Sequence, residues 1–346
     1  MTIESTPAAA TRITDLDALR GLAALAVVLF HYTVRFGELY GQGAAPFIAV
    51  PWGHYGVQLF FGISGFVIFM TLDRTASLLD FAVSRASRLY PAYWTAILLT
   101  SAAVALAGMS ELALSPADTA ANFTMMQGFV GLPSVDGVYW TLSVELAFYL
   151  AMAALWQLRL LGRIETVLLA WLALRWIWTF APVVVGVEPS WLLGALLVQE
   201  HIPFFALGIA AFRLKSRPNA RPAWLVVAAA LATVAACDGG AHLVVAALSA
   251  AALLLVALRG VRLLRAAPLV WLGAISYSLY LLHQFIGYAL LLSLDAAGVN
   301  ATVAVLLTLG TVLALAAAVT FRVERPALRA IRDRYRRPAR TPAVAA

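Results

Sequence analysis

Two residues near the N-terminus combine a chemistry and a spacing that an apolar segment does not ordinarily carry. Within Asp15-Leu-Asp-Ala-Leu-Arg-Gly-Leu-Ala-Ala-Leu-Ala-Val-Val-Leu-Phe-His-Tyr32 stand Arg20 and His31. Eleven residues at about 100° each bring them within roughly 20° of three full turns, so in a helix both lie on one stripe, about 16 Å apart along the axis. Asp17, Arg20, Ala24, Val27 and His31 make up that stripe. Arginine offers a fork of donors suited to phosphates and carboxylates, and a neutral imidazole can take a proton or carry a group. For Arg20 alone, snorkelling to lipid headgroups is the plain alternative, but His31 sits too deep for that.

Three further apolar segments carry comparable groups. In Tyr139-Trp-Thr-Leu-Ser-Val-Glu-Leu-Ala-Phe-Tyr149, Thr141, Glu145 and Tyr149 follow i, i+4, i+8 and share a helix face. A carboxylate buried there needs a partner. Ser276, Tyr280, His283 and Gly287 follow i, i+4, i+7, i+11, a second polar stripe. Gly62, Ser64 and Gly65 in Phe-Phe-Gly-Ile-Ser-Gly-Phe66 allow a ligand or a neighbouring backbone to approach closely, and taken alone the second use is the more ordinary. Arg85 and Arg88, three apart in a polar segment, present a paired cationic face suited to phosphates, or equally a topological anchor. Counted from the expected span edges, His31 and His283 each lie about 21 Å in, and Ser64 and Glu145 lie about 13 Å and about 10 Å from the opposite edge. Four polar positions from four spans in one layer are hard to explain by packing alone.

The elements that must position these residues follow from composition. Of 346 residues, 63% are hydrophobic and 12% charged, with a mean hydropathy of +0.88. That is about half the charge of an ordinary globular chain, so the expected fold is all-α, a polytopic transmembrane bundle. Apolar stretches of spanning length fall near 17–35, 55–72, 90–108, 138–156, 164–185, 191–212, 222–237, 241–258, 269–292 and 300–321, about ten spans. The 191–212 segment is interrupted by Gln199, Glu200, His201 and Pro203. With ten spans, all of the 24 Lys and Arg except Arg35 and Arg175 fall on one face, which predicts cytosolic termini and a cell (inner or plasma) membrane location. The net charge of +7 is then a topology signal and an attraction to anionic lipid, with no nucleic-acid footprint. Met1 to Thr14 holds no apolar core of a signal peptide, and Cys237 is the lone cysteine. No internal repeat or low-complexity linker divides the chain. We therefore expect one membrane domain over 1–346, with a basic cytosolic tail at 322–346 and no added soluble domain. The dispersed histidines and acids show no metal-ligand spacing. Arg175, amid three tryptophans, is suited to an acid partner or aromatic stacking, while Glu200 and His201 fit a polar interface; their roles stay open at this point.

Taken in order, these motifs resemble the acyltransferase-3 superfamily of integral membrane O-acyltransferases, which includes O-antigen acetyltransferases. The resemblance rests on Leu-Asp-Ala-Leu-Arg20-Gly-Leu-Ala with His31, on Leu-Phe-Phe-Gly-Ile-Ser-Gly-Phe66, and on Arg85-Ala-Ser-Arg88-Leu-Tyr-Pro-Ala-Tyr93. It continues through Trp-Thr-Leu-Ser-Val-Glu145 with Phe148-Tyr149, Tyr277-Ser-Leu-Tyr-Leu-Leu-His283 and Val-Glu324-Arg-Pro326. It implies about ten transmembrane helices, an acyl-CoA donor (acetyl-CoA by default) on the cytosolic side, and transfer to a hydroxyl, often of a carbohydrate. It also implies functional importance for Arg20 and His31, with Arg85, Arg88 and Glu145 as further candidates. Gln58 stands where many members have an acid.

Acyl transfer from a thioester requires a base, oxyanion stabilisation and a grip on the CoA phosphates. The resulting assignment gives Arg20, Arg85 and Arg88 to the donor phosphates, and His31, Glu145 and His283 to the chemistry, with Glu145 or another acid orienting His31. Gly62, Ser64, Gly65, Tyr149 and Tyr280 line the substrate pocket. The acceptor expected is a cell-surface or lipid-linked glycan, with a small-molecule glycoside as the alternative. From another class, a proton-coupled transporter or flippase would use intramembrane His and Glu as relay groups and commonly shows paired repeats with broken helices. An envelope scaffold would need no shared polar layer.

Overall fold

In the computed structural model, residues 13–41 and 46–336 are described, and their regular structure is helical throughout. Arg12 and the tail beyond 336 lie outside them. The first helix, α1 (Thr14–Tyr40), is followed by α2 (Pro51–Leu72), α3 (Leu78–Leu106), α4 (Gly137–Gln157) and α5 (Leu161–Val185). Then come the short α6 (Trp191–Leu196), α7 (Ile202–Ser216), α8 (Arg221–Cys237), α9 (Gly240–Leu258), α10 (Ala267–Leu282), α11 (Gln284–Ala296) and the long α12 (Ala301–Tyr335). Among the described residues seven helices are long and apolar enough to cross a membrane, or eight where the bent pair α10–α11 is counted as one span. Two of the ten expected spans fall below that length: α8 has 17 residues and α7 has 15. The 191–212 segment is cut because Val198, at φ 45°, turns the chain between α6 and α7. The α7 that follows is apolar all round and buried on nearly every face, as a helix at the centre of a bundle must be.

Glycine determines how closely the central helices approach. A Cβ on Gly273 of α10 would lie 2.2 Å from the Asp17 carbonyl oxygen of α1, and one on Gly21 would lie 2.6 Å from the Gly273 nitrogen. The α2–α7 contact works in the same way. A Cβ on Gly208 would meet the Gly62 oxygen at 1.8 Å, and one on Gly65 would meet the Phe205 oxygen at 2.2 Å. Gly62 and Gly65, expected in the substrate pocket, thus turn their open faces to α7 and α9 and serve helix packing. Gly273→Ala should force α1 off α10 and destabilise the protein by about 1–3 kcal/mol. A lowered thermal midpoint in detergent checks this, and an unchanged midpoint would show that the contact yields freely.

One end of the bundle collects basic residues, with Arg74, Lys215, Arg259 and Arg265 around one pocket beside Asp15. Asp15 ties α1 to the segment before α10 there, accepting from the Val261 N–H at 2.8 Å and from Arg265 Nε at 2.8 Å. At the same end Arg213 pairs with Glu165 at 2.6 Å. Arg85 and Arg88 lie within a helix, contrary to the polar loop expected. Ser77 caps α3, accepting from the Asp80 N–H at 3.1 Å and donating to its carboxylate at 2.7 Å. The cap starts the helix at Leu78 and carries it through Pro91 for 29 residues.

The expected 269–292 span is two helices, bent by 74° at His283. Such a break frees backbone groups that lipid cannot satisfy, so protein must. Tyr139 OH donates to the Leu281 carbonyl at 3.2 Å, and Tyr32 OH donates to the His283 carbonyl at 2.7 Å. The Phe285 N–H donates to Asp136, 3.0 Å away, whose other oxygen accepts from the Val138 N–H at 3.2 Å. The start of α4 and the middle of α1 therefore hold the break open around the second histidine.

Candidate active site

Arg20 from α1, Arg85 and Arg88 from α3, Ser64 from α2, Glu145 and Tyr149 from α4 and Tyr280 from α10 line one cavity of about 730 Å³. The i, i+4 relation of Glu145 and Tyr149 brings both to the cavity, as does the i, i+3 relation of the two arginines on α3. Glu145 accepts hydrogen bonds from Ser64 Oγ and Tyr149 OH, which join α2 to α4 across the cavity. Arg20 is paired with Asp17 at 3.1 Å, both side chains being largely buried. Arg85 donates from Nη2 to Ser84 Oγ at 3.1 Å, while its buried Nε has no partner. Three guanidiniums facing one carboxylate give the chamber a positive bias, suited to an anion with several phosphate oxygens.

The histidines stand apart from this lining. His31 and His283 pack edge to face with ring centroids 4.8 Å apart. His31 Nδ1 lies 2.8 Å from the Val27 carbonyl oxygen and 3.3 Å from His283 Nε2. His283 Nδ1 lies 2.8 Å from the Tyr280 carbonyl oxygen. A carbonyl oxygen only accepts, so the hydrogen sits on Nδ1 in both rings. His283 Nε2 then accepts from the shared His31 N–H, and His31 Nε2 keeps its lone pair. This is the tautomer that a base or nucleophile requires. His31 opens a widened π turn, His31–Arg35, a local geometry frequent at functional sites. The orientation of His31 comes from Val27 and His283, whereas the carboxylate of Glu145 is engaged by Ser64 and Tyr149.

Tyr280 connects the two groups. Its ring lines the cavity and lies 5.6 Å from the His283 ring, and its hydroxyl is held by Thr141 Oγ1 at 3.0 Å. The single polar layer read from depth is therefore two pairs, Ser64 with Glu145 and His31 with His283, on either side of Tyr280. The residues that hold the break, Tyr32, Asp136 and Tyr139, were missed as candidates; a lone Asp at the start of an apolar helix was the available signal. Arg175 takes an acid partner, Asp238, at 2.7 Å and ties α5 to the end of α8. His201 stacks near Phe61 and Trp140, and with Glu200 it lines a separate pocket. Among the described residues no group of three or more His, Cys, Asp or Glu is placed to hold a metal ion.

Comparison with known proteins adds an independent line. Nodulation protein 10 of Rhizobium leguminosarum bv. viciae is 33% identical over 121 residues, an alignment covering 30% of this chain and 33% of the relative. The chain thus spans about a third of the length of that curated relative. No solved structure matches. The acyltransferase domain family model matches residues 13–323, which takes in every candidate described above. With nearly the whole membrane bundle inside that match, the chain belongs to the acyltransferase-3 family, and its apolar helices mark it as a multi-pass membrane protein.

Proposed function

We propose that this enzyme moves an acetyl group from cytosolic acetyl-CoA to a hydroxyl of a cell-surface or lipid-linked glycan, working in the inner or plasma membrane. The observation that carries this reading is the cavity where Arg20, Arg85 and Arg88 converge at one end and Tyr280, backed by the histidine pair, stands at the other. In this reading the arginines, on the cytosolic face, grip the CoA phosphates in bidentate fashion. The pantetheine arm extends along α1, whose Arg20–His31 stripe spans about 16 Å.

His31 Nε2 takes the proton of the acceptor hydroxyl as its oxygen bonds to the thioester carbon. The tetrahedral intermediate collapses with cleavage of the C–S bond, the ester leaves, and the imidazolium returns its proton to the CoA thiolate. The charge that His31 gains is spread through Nδ1–H to the Val27 carbonyl and His283 Nε2. Glu145, held by Ser64 and Tyr149, forms part of the cavity wall along which the pantetheine arm runs toward His31.

The test is direct. Purified protein in proteoliposomes, given labelled acetyl-CoA and a glycan extract, should release CoA thiol and place the label on saccharide hydroxyls. Absence of CoA binding would overturn the donor assignment. Label appearing solely in small glycosides would overturn the acceptor.

A further inference from the structure

At the arginine-poor end of the bundle lies a second pocket, of about 780 Å³, outside the machinery described above. Trp140, Trp178 and Trp191 contribute its aromatic walls, and Gln199, Glu200 and His201 its polar edge. The turn that carries the polar edge is strained. Val198, β-branched and 2% exposed, sits at φ 45°, a conformation such residues rarely adopt. The surroundings hold it there: Trp171 Nε1 donates to the Leu197 carbonyl at 2.8 Å, and the Gln199 N–H donates to the Gly194 carbonyl at 2.9 Å.

The backbone of the turn is thus satisfied while the Gln199 side chain is not. Gln199 is 1% exposed, lines the pocket, and neither its amide oxygen nor its amide nitrogen has a hydrogen-bond partner. A buried polar group left unpaired destabilises the fold, and an amide is complemented by a ligand that both donates and accepts. Pyranose hydroxyls do both, and the flat C–H face of the ring suits an indole. A quaternary ammonium ion would also favour aromatic walls, but it has no group to satisfy the amide. An acyl chain leaves the amide equally bare.

We infer that this pocket is a docking subsite for a neutral pyranose unit of the acceptor glycan, an inference resting on the acceptor proposed above. Its place in the fold agrees with that role. The Phe61 ring lines the arginine cavity on one side and packs on His201 at 4.7 Å and Trp140 at 6.3 Å on the other. Phe61 thus links the two chambers, and α4 presents Trp140 to the pocket and Glu145 to the cavity. A glycan held by its distal sugar at this end meets the bundle opposite the arginines that would hold the donor.

The full-length protein in nanodiscs, probed with an array of neutral pyranose oligosaccharides and in parallel with CoA, tests the assignment. Gln199→Leu and Trp191→Ala should each weaken binding of the glycans recognised by wild type by about tenfold or more, with CoA affinity unchanged. Trp191 is 63% exposed, so its variant keeps the fold and carries the test should Gln199→Leu not fold. Glycans bound equally well by wild type and Trp191→Ala would overturn the subsite and leave the glycan reading standing. A wild type that binds CoA and no glycan would overturn both. Displacement of bound glycan by choline at low concentration would reassign the pocket to a cation.

Discussion

His31→Ala should lower the transfer rate by about 10²- to 10⁴-fold, the range general-base groups ordinarily contribute, with CoA affinity little changed. The reason lies in the ring's two nitrogens. Nδ1 is spent on the Val27 carbonyl at 2.8 Å and His283 Nε2 at 3.3 Å, so the working lone pair is that of Nε2. Alanine removes the base and also leaves His283 without the proton it accepts. His283→Ala should have a smaller effect, because the Val27 carbonyl still fixes the tautomer of His31. The double variant should then be hardly slower than His31→Ala, since residues acting as a unit are not additive. Single-turnover rates with a matched CoA-binding measurement check this, and a folded His31→Ala protein with a normal transfer rate would remove His31 from the chemistry.

What the residue spacing made legible were the relations within a single helix. The Glu145–Tyr149 and Arg85–Arg88 steps are local, and each pair lines the one cavity, whereas of the Arg20–His31 stripe Arg20 lines the cavity and His31 packs against His283 outside that lining. Relations between helices were not legible in the same way. Residues 269–292 keep a predominantly apolar, helix-compatible pattern throughout, with no proline to signal a break at His283. The groups that stabilise the break, Tyr32, Asp136 and Tyr139, come from 251, 149 and 142 positions away. Likewise Gly62 and Gly65 share a helix with Ser64, and period alone does not say that the serine faces Glu145 while the glycines face α7. Depth from the membrane edge brought Ser64, Glu145, His31 and His283 into one layer, but depth carries no azimuth, and the structure resolves the layer into two pairs on either side of Tyr280. The left-handed Val198 escaped for a related reason. A β-branched residue is a poor local candidate for that conformation, and only tertiary contacts such as Trp171 with Leu197 hold it.

Arg85→Ala combined with Arg88→Ala should raise the KM for acetyl-CoA by about 10²- to 10⁴-fold, taking about 1.5–3 kcal/mol for each charge-assisted contact to phosphate. The effect should fall mainly on KM, because phosphates far from the thioester are held alike in ground and transition states. Two features of the cavity make Arg85 more sensitive than Arg20. Arg20 already has a carboxylate at 3.1 Å in Asp17, which shares its donors with any ligand. Arg85 instead gives one nitrogen to a neutral hydroxyl, Ser84 Oγ, and keeps its buried Nε without a partner. An unfilled buried donor of a guanidinium is a standing penalty that a phosphate oxygen relieves, so the donor should bind with part of its site prepaid. Lysine at both positions keeps the charge but loses the planar fork, and should recover only part of the affinity. Isothermal titration with CoA and with pantetheine separates the two contributions. CoA should lose affinity in the double alanine variant, whereas pantetheine, which has no phosphates, should bind wild type and variant alike. Equal CoA affinity in wild type and the double variant would place the phosphates elsewhere on the arginine-rich end.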